Sequence, residues 1–119
     1  VVPGIMKQAG EKKAGGAIII SGGFREIGND SLEQEVIDIA KSLGIRIIGP
    51  NCQGVNYTGS DLCASWPLIT AKGRMAVISQ SGTVAAAIGE WAEADGIGVS
   101  SCVSLGNKAD VNELDLINY

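Results

Sequence analysis

Ser79-Gln80-Ser81-Gly82-Thr83 puts three hydroxyls and a glycine into five residues. Four apolar residues, Met75 to Ile78, run into this string, and Val84, Ala87, Ile88 and Trp91 follow it at helical spacing. The pattern predicts a buried strand, a tight loop and a helix whose apolar face carries those four residues. A helix start presents backbone N–H groups without partners and the positive end of the helix dipole. Small side chains let an anion approach those groups, so Ser79 to Thr83 reads as a seat for a phosphate or a carboxylate. The alternative is that Ser81 merely caps the helix.

Three further small-residue turns follow short apolar runs: Ser21-Gly22-Gly23-Phe24, Gly49-Pro50-Asn51-Cys52-Gln53-Gly54 and Ser104-Leu105-Gly106-Asn107-Lys108-Ala109-Asp110. Asn51 suits either a ligand contact or an Asx-type turn. Cys52 reads first as a buried thiol packed under its loop. Gly106, Asn107 and Lys108 read as turn chemistry plus a solvated lysine. The chain has no His, which excludes a Ser-His-Asp triad, a histidine base and most zinc sites within it. Three cysteines, an odd number without metal-ligand spacing, predict reduced thiols in a cytoplasmic protein.

The elements that must position these turns alternate in type. Of 119 residues 45% are apolar, enough for a core, and 4% are aromatic, so that core is aliphatic. The net charge of −4 and scattered Lys and Arg argue against nucleic acid and against a polybasic membrane anchor. No apolar run approaches the ~20 residues that span a bilayer, and no signal peptide opens the chain.

A helix is predicted around Val2, Ile5, Met6 and Ala9, then a buried strand at Ala17 to Ile20. The next helix begins near Asn29 to Ser31, with capping-box spacing between Ser31 and Gln34. Its apolar face is Leu32, Val36, Ile39, Ala40 and Leu43, and Gly44 ends it. Ile45 to Ile48 is a second buried strand, completing a βαβ unit. Val55 to Arg74 shows neither period and reads as a long connection between two lobes, with Trp66 packing against one of them. Val99 to Val103 is a fourth strand. Asp110 reads as the N-cap of a last helix, with Glu113 three residues on. All four turns are expected at carboxyl ends of parallel strands. The chain begins and ends within elements, which reads as the back of one α/β domain and the front of another.

Three strings, GPNCQG at Gly49 to Gly54, ISQSGT at Ile78 to Thr83 and SLGNKADV at Ser104 to Val111, in this order and spacing, resemble the nucleoside-diphosphate (NDP)-forming acyl-CoA synthetases. That superfamily includes the ADP-forming acetyl-CoA synthetases and the succinyl-CoA synthetase alpha subunit. The SGGF turn adds to the likeness, which covers essentially the whole chain. The resemblance implies an α/β fold of parallel-sheet βαβ units. Residues 1–58 would be the end of a Rossmann-like CoA-binding domain, 59–73 a linker, and 74–119 the start of a flavodoxin-like ligase domain.

It also implies an enzyme that interconverts acyl-CoA, ADP and phosphate with acid, CoA and ATP through an acyl phosphate and a phosphohistidine. Such a carrier needs fixed dipoles around the phosphate, because phosphoryl transfer is mostly positioning and charge stabilisation. By resemblance, Ser79, Gln80, Ser81, Gly82 and Thr83 face phosphate and the acyl substrate. Ile20, Ser21, Gly22, Asn51 and Cys52 contact CoA. The cofactors implied are coenzyme A and ADP or ATP with Mg2+, the nucleotide bound largely outside this chain. The partners are the acyl-CoA or organic acid and an ATP-grasp subunit or domain, in an oligomer, with neither nucleic acid nor membrane. The phosphohistidine is expected downstream, so no catalytic residue is assigned here and the 119 residues alone are expected to be inactive.

The succinyl branch carries Arg between the two serines and Tyr three residues after the Thr; Gln80 and Ala86 stand there instead. A smaller, less cationic pocket suits a monocarboxylic acid, so the acetyl-type branch is nearer. The competing reading is a non-catalytic or acyltransferase-fused CoA-binding regulatory module. A dinucleotide-binding Rossmann domain would need G-x-G-x-x-G, which does not occur. A generic flavodoxin-like signalling domain would not need the GPNCQG turn.

Overall fold

The computed structural model describes residues 1–66 and 69–119, in two lobes. In the first, helix α1 (Val2–Glu11) leads to strand β1 (Gly16–Ile18), then a 3₁₀ turn at Arg25–Ile27, helix α2 (Asp30–Leu43) and strand β2 (Arg46–Ile48). β1 and β2 are parallel, with Gly16 opposite Arg46 and Ile18 opposite Ile48, as their apolar runs predict. Met6, Phe24, Val36, Ala40, Ile45 and Ile47 pack together with Ile19 as this lobe's core. The face read on α2 is the buried one at Val36 and Ala40, with Leu32 and Ile39 packed beside them. Gly44 closes the helix in a left-handed conformation, φ 68°. The helix start differs from the expected capping box. Asn29 is the N-cap position, Ser31 donates to the Asn29 side chain at 3.4 Å and Gln34 donates to Asp38 at 2.8 Å.

In the second lobe, strand β3 (Gly54–Tyr57), strand β4 (Leu62–Ala64), strand β5 (Lys72–Ser79), helix α3 (Gly82–Ala94) and strand β6 (Val99–Ser104) precede a short helix α4 (Glu113–Ile117). The strand order is β4-β3-β6-β5. β5 and β6 are parallel, but β3 is antiparallel to both β4 and β6, so this sheet is mixed. The stretch read as a structureless connection therefore contains a hairpin, β3–β4. Tyr57 pairs with Leu62 across a turn in which Asp61 takes φ 55°. Gly54 to Tyr57 belongs to the same sheet as β6, with Val55 opposite Val103. Pro67 and Leu68, within that stretch, lie outside the described residues.

α3 lies on the sheet through Ala85, Gly89 and Ala92, which are buried, while Val84, Ala87, Ile88 and Trp91 are exposed. This reverses the face expected from the sequence. The small face wins because it packs closely: a Cβ on Gly89 would sit 2.6 Å from Ile69 Cδ1, in the segment before β5, and 3.9 Å from Cys102 Sγ of β6. A third apolar cluster, Val55, Val103, Leu105 and Val111 with Ile18, Ile48, Ile78 and Leu116, draws on both lobes and joins them.

Candidate functional site

The four small-residue turns follow the carboxyl ends of β1, β2, β5 and β6, and backbone hydrogen bonds tie them to one another. Asn51 N–H donates to Ser21 C=O at 3.0 Å, and Leu105 and Gly106 donate to Ser79 and Gln80 at 2.8 and 3.2 Å. Asn107, Ala109 and Val111 donate to Pro50, Gly49 and Ile47 at 2.8, 2.9 and 3.1 Å, sewing one lobe to the other. Gly106 makes this possible: it sits at φ 57°, and a Cβ there would overlap the carbonyl oxygens of Pro50 and Asn51.

Between these turns lies an open cleft of about 580 Å³, lined by Ile20, Glu26, Asn51, Cys52, Gln53, Trp66, Gln80, Ser81, Gly82, Thr83, Gly106 and Asn107. Seven of the ten residues predicted for the site thus share one cleft. Ser79, Ser21 and Gly22 do not line it. The Ser79 hydroxyl accepts from Ser81 N–H at 3.1 Å and donates to Ser81 C=O at 3.0 Å, so it shapes the loop. Ser21 gives its carbonyl to Asn51. Gly22 lies where a Cβ would be 3.0 Å from Glu26 Oε1 and 3.3 Å from Asn51 Oδ1.

The second-lobe wall is the start of α3. Ser81 is its N-cap and accepts from Val84 N–H at 3.4 Å. The amides of Gly82 and Thr83, first in the helix, have no carbonyl within it to bond. Gly82 is small for a packing reason: a Cβ there would meet Gln53 Cβ at 2.9 Å and Ser104 Oγ at 3.4 Å. Cap and anion seat, opposed in the sequence reading, are thus compatible on this wall.

The first-lobe wall is polar in another way. The Glu26 carboxylate accepts from Gly23 and Phe24 N–H groups and, through Oε2, from Asn107 Nδ2 at 2.7 Å. That amide, with the backbone donors, holds its pKa down at about 2. Among the described residues that line the cleft none is cationic, and the helix start carries its positive dipole end. Cys52 is 5% exposed; its S–H donates to Ile19 C=O at 3.4 Å, and burial pushes its pKa up. It is therefore a packed thiol and not a thiolate nucleophile.

Glu26, Gln53, Trp66, Gly106 and Asn107 line the cleft without having been predicted to. For Gly106 and Asn107 the signal was present, in the third string, but read as turn chemistry. Asp110 is likewise not a cap: it accepts from Ile47 N–H and Arg46 Nε, both at 2.8 Å. Asn112 caps α4 instead, with Asp115 completing the capping box. Lys108 pairs with Glu113 at 3.0 Å. Among the described residues no group of three or more His, Cys, Asp or Glu could hold a metal ion, and no helix is long and apolar enough to cross a membrane.

Two family models match: a CoA binding domain over residues 1–58 and a succinyl-CoA ligase-like flavodoxin domain over 72–119. The chain therefore joins a CoA binding domain to a succinyl-CoA ligase-like domain, in keeping with its resemblance to the NDP-forming acyl-CoA synthetases. It is 47% identical over its whole length to an ADP-forming acetate–CoA ligase of Methanocaldococcus jannaschii, of which it covers 17%. It is 40% identical, over 99% of its length, to the alpha subunit of an ADP-forming acetate–CoA ligase of Pyrococcus furiosus, covering 26% of that subunit. The solved acetyl-coenzyme A synthetase 1 of Candidatus Korarchaeum cryptofilum, in complex with phosphate and ADP, superposes with a TM-score of 0.93 at 39% identity. The match covers 98% of this chain and 25% of that one. The chain thus spans about a sixth of the length of the single-chain archaeal ligases of this kind that it matches.

Proposed function

We propose that this chain forms the cleft of an ADP-forming acyl-CoA synthetase in which a CoA thioester meets phosphate. One observation carries the reading: the GPNCQG turn and the start of α3, distant in sequence, line a single cleft at the carboxyl ends of parallel strands. Ligands of open α/β sheets characteristically sit there. Ser81 Oγ and the amides of Gly82 and Thr83 hold the phosphate, with Gln80 beside it. Ile20 and Asn51 face the CoA arm, Ser21 and Gly22 shape that turn, and Cys52 packs beneath it.

In the thioester-consuming direction a phosphate oxygen attacks the thioester carbonyl carbon. The C–S bond breaks, CoA leaves as thiolate, and acyl phosphate remains. Donors fixed at the helix start stabilise the charge that develops there and need no reorganisation. The phosphoryl group then passes to a histidine outside this chain and on to ADP. The nucleotide and its Mg2+ belong to an ATP-grasp domain or subunit, in a cytoplasmic oligomer. Gln80 and Ala86, and a cleft without a lining cation, favour a monocarboxylic acid.

The test is an assay of the full-length protein for ATP formed from acetyl-CoA, ADP and phosphate. Formation that requires all three, with release of free CoA, is expected. CoA binding without ATP formation would establish the regulatory-module reading instead.

A further inference from the structure

We propose that Asn107 is a positioning residue for the CoA side of the cleft, fixing Asn51 as a hydrogen-bond acceptor for the pantetheine arm. This rests on the reading of Asn51 as a CoA contact. Asn107 is 6% exposed and comes from the turn after β6, yet all its side-chain partners belong to the first lobe. Its Nδ2 donates to Glu26 Oε2 at 2.7 Å and to Glu33 Oε2 at 2.8 Å. Glu33 is 4% exposed and has the Arg25 guanidinium 3.2 Å away.

The Glu26 carboxylate, its pKa held well below the usual carboxylate range, only accepts, so it dictates which end of the Asn107 amide faces it. Its NH₂ must point to the two glutamates, and its Oδ1 must point to Asn51. The atom of Asn51 that meets Oδ1, at 3.4 Å, must then be Nδ2. That leaves Asn51 Oδ1 near Gly22, 3.3 Å from where a Cβ of that residue would stand, with no hydrogen bond to it from the described residues. Asn51 itself is exposed on the cleft wall. The relay thus gives this wall an acceptor, suited to an amide N–H or the thiol S–H of the pantetheine arm and unsuited to a carboxylate or phosphate. Those anions are left to the donors at the start of α3. The two walls thereby orient the thioester by opposite hydrogen-bond polarity.

The test is steady-state kinetics of the full-length enzyme in the acid-activating direction. Asn107→Leu should raise KM for CoA about tenfold, the equivalent of one lost hydrogen bond, with kcat within about twofold. Asn51→Ala should do the same, and the double variant should be no more than about twofold worse than Asn51→Ala alone. Equal penalties for Asn107→Leu in both backgrounds, or an unchanged KM, would overturn the relay.

Asn107→Asp, a change of equal size, covers the case in which Asn107→Leu does not fold. It places a third carboxylate beside Glu26 and Glu33, with Arg25 paired to Glu33 and Lys108 turned to Glu113. One of the three then binds a proton more readily, and the carboxyl O–H can replace the amide donor. Its KM for CoA, relative to the parent, should be highest near pH 8 and fall toward the parent value as the pH drops. A ratio that does not move with pH would count against the relay. Should the parent enzyme not use CoA at all, the proposed function fails and the relay with it. If the parent uses CoA and the variants share its KM, only the relay fails.

Discussion

The two walls of the cleft use their polar groups differently. On the first-lobe wall they are mostly engaged: Glu26 is ringed by Gly23, Phe24 and Asn107, and the Cys52 thiol is turned back to Ile19. On the second-lobe wall the first amides of α3 have no partner within the helix, and the Ser81 hydroxyl stands among them. One wall keeps its shape through internal hydrogen bonds; the other keeps donors available. Substitutions on the first should therefore cost fit and stability, and substitutions on the second should cost turnover.

The largest expected effect is on the donor wall. In the full-length enzyme Ser81→Ala removes a hydroxyl donor and a helix cap. Turnover per folded molecule should fall by ~10²–10³, the usual loss for one such donor. The cap should cost about 1 kcal/mol in denaturant titration. Loss of stability with unchanged turnover per folded molecule would make the site a cap and nothing more. Gly82 is a poor probe of the same idea, because any side chain there strikes Gln53 before it reaches the cleft.

Next in size is the seam between the walls. Gly106→Ala forces a Cβ against the carbonyls of Pro50 and Asn51 at a left-handed φ. It should destabilise by roughly 1–3 kcal/mol, read from the denaturation midpoint. A neutral result would show that the lobes separate easily.

Smaller effects are expected on the engaged wall. Cys52→Ala should leave turnover per folded molecule within about twofold, since a buried thiol with a raised pKa supplies no nucleophile. A loss of a hundredfold would restore a chemical role to the sulfur. Smallest is a pH effect at Glu26. Its folded pKa, about 2, lies below the usual 4.5, so its contribution to stability is present above about pH 4.5 and is lost as the pH falls toward 2. The difference in denaturation midpoint between parent and Glu26→Gln should therefore exist at pH 7 and close on acidification. Glu26 is exposed, and solvent keeps that difference small.

What could be read in the sequence follows the same division. The parallel strands β1, β2, β5 and β6 were legible because each contains a short apolar run, although β1 and most of β5 are not buried, and their turns because small residues cluster after them. The start of α3 was legible because Ser81 follows such a run. The outward face of α3 was not: the helix is apolar nearly all round, and periodicity cannot tell that Ala85, Gly89 and Ala92 pack while Ile88 and Trp91 face outward. The hairpin β3–β4 was missed although Thr58-Gly59-Ser60-Asp61 is a turn signal between Val55 and Leu62. The Asp110 contact and the side-chain role that Asn107 has beyond its turn were missed for one reason. The partners, Arg46 and the two glutamates, lie more than 60 residues away, and local capping rules see only neighbours.

The claim that both walls face one ligand set is tested most directly by amide hydrogen exchange in the full-length protein, with and without acetyl-CoA and phosphate. Protection should rise together in the peptides covering residues 20–26, 49–53 and 80–84, and phosphate alone should protect only 80–84. Protection confined to one wall in the presence of both ligands, or unchanged exchange at 80–84, would contradict the account.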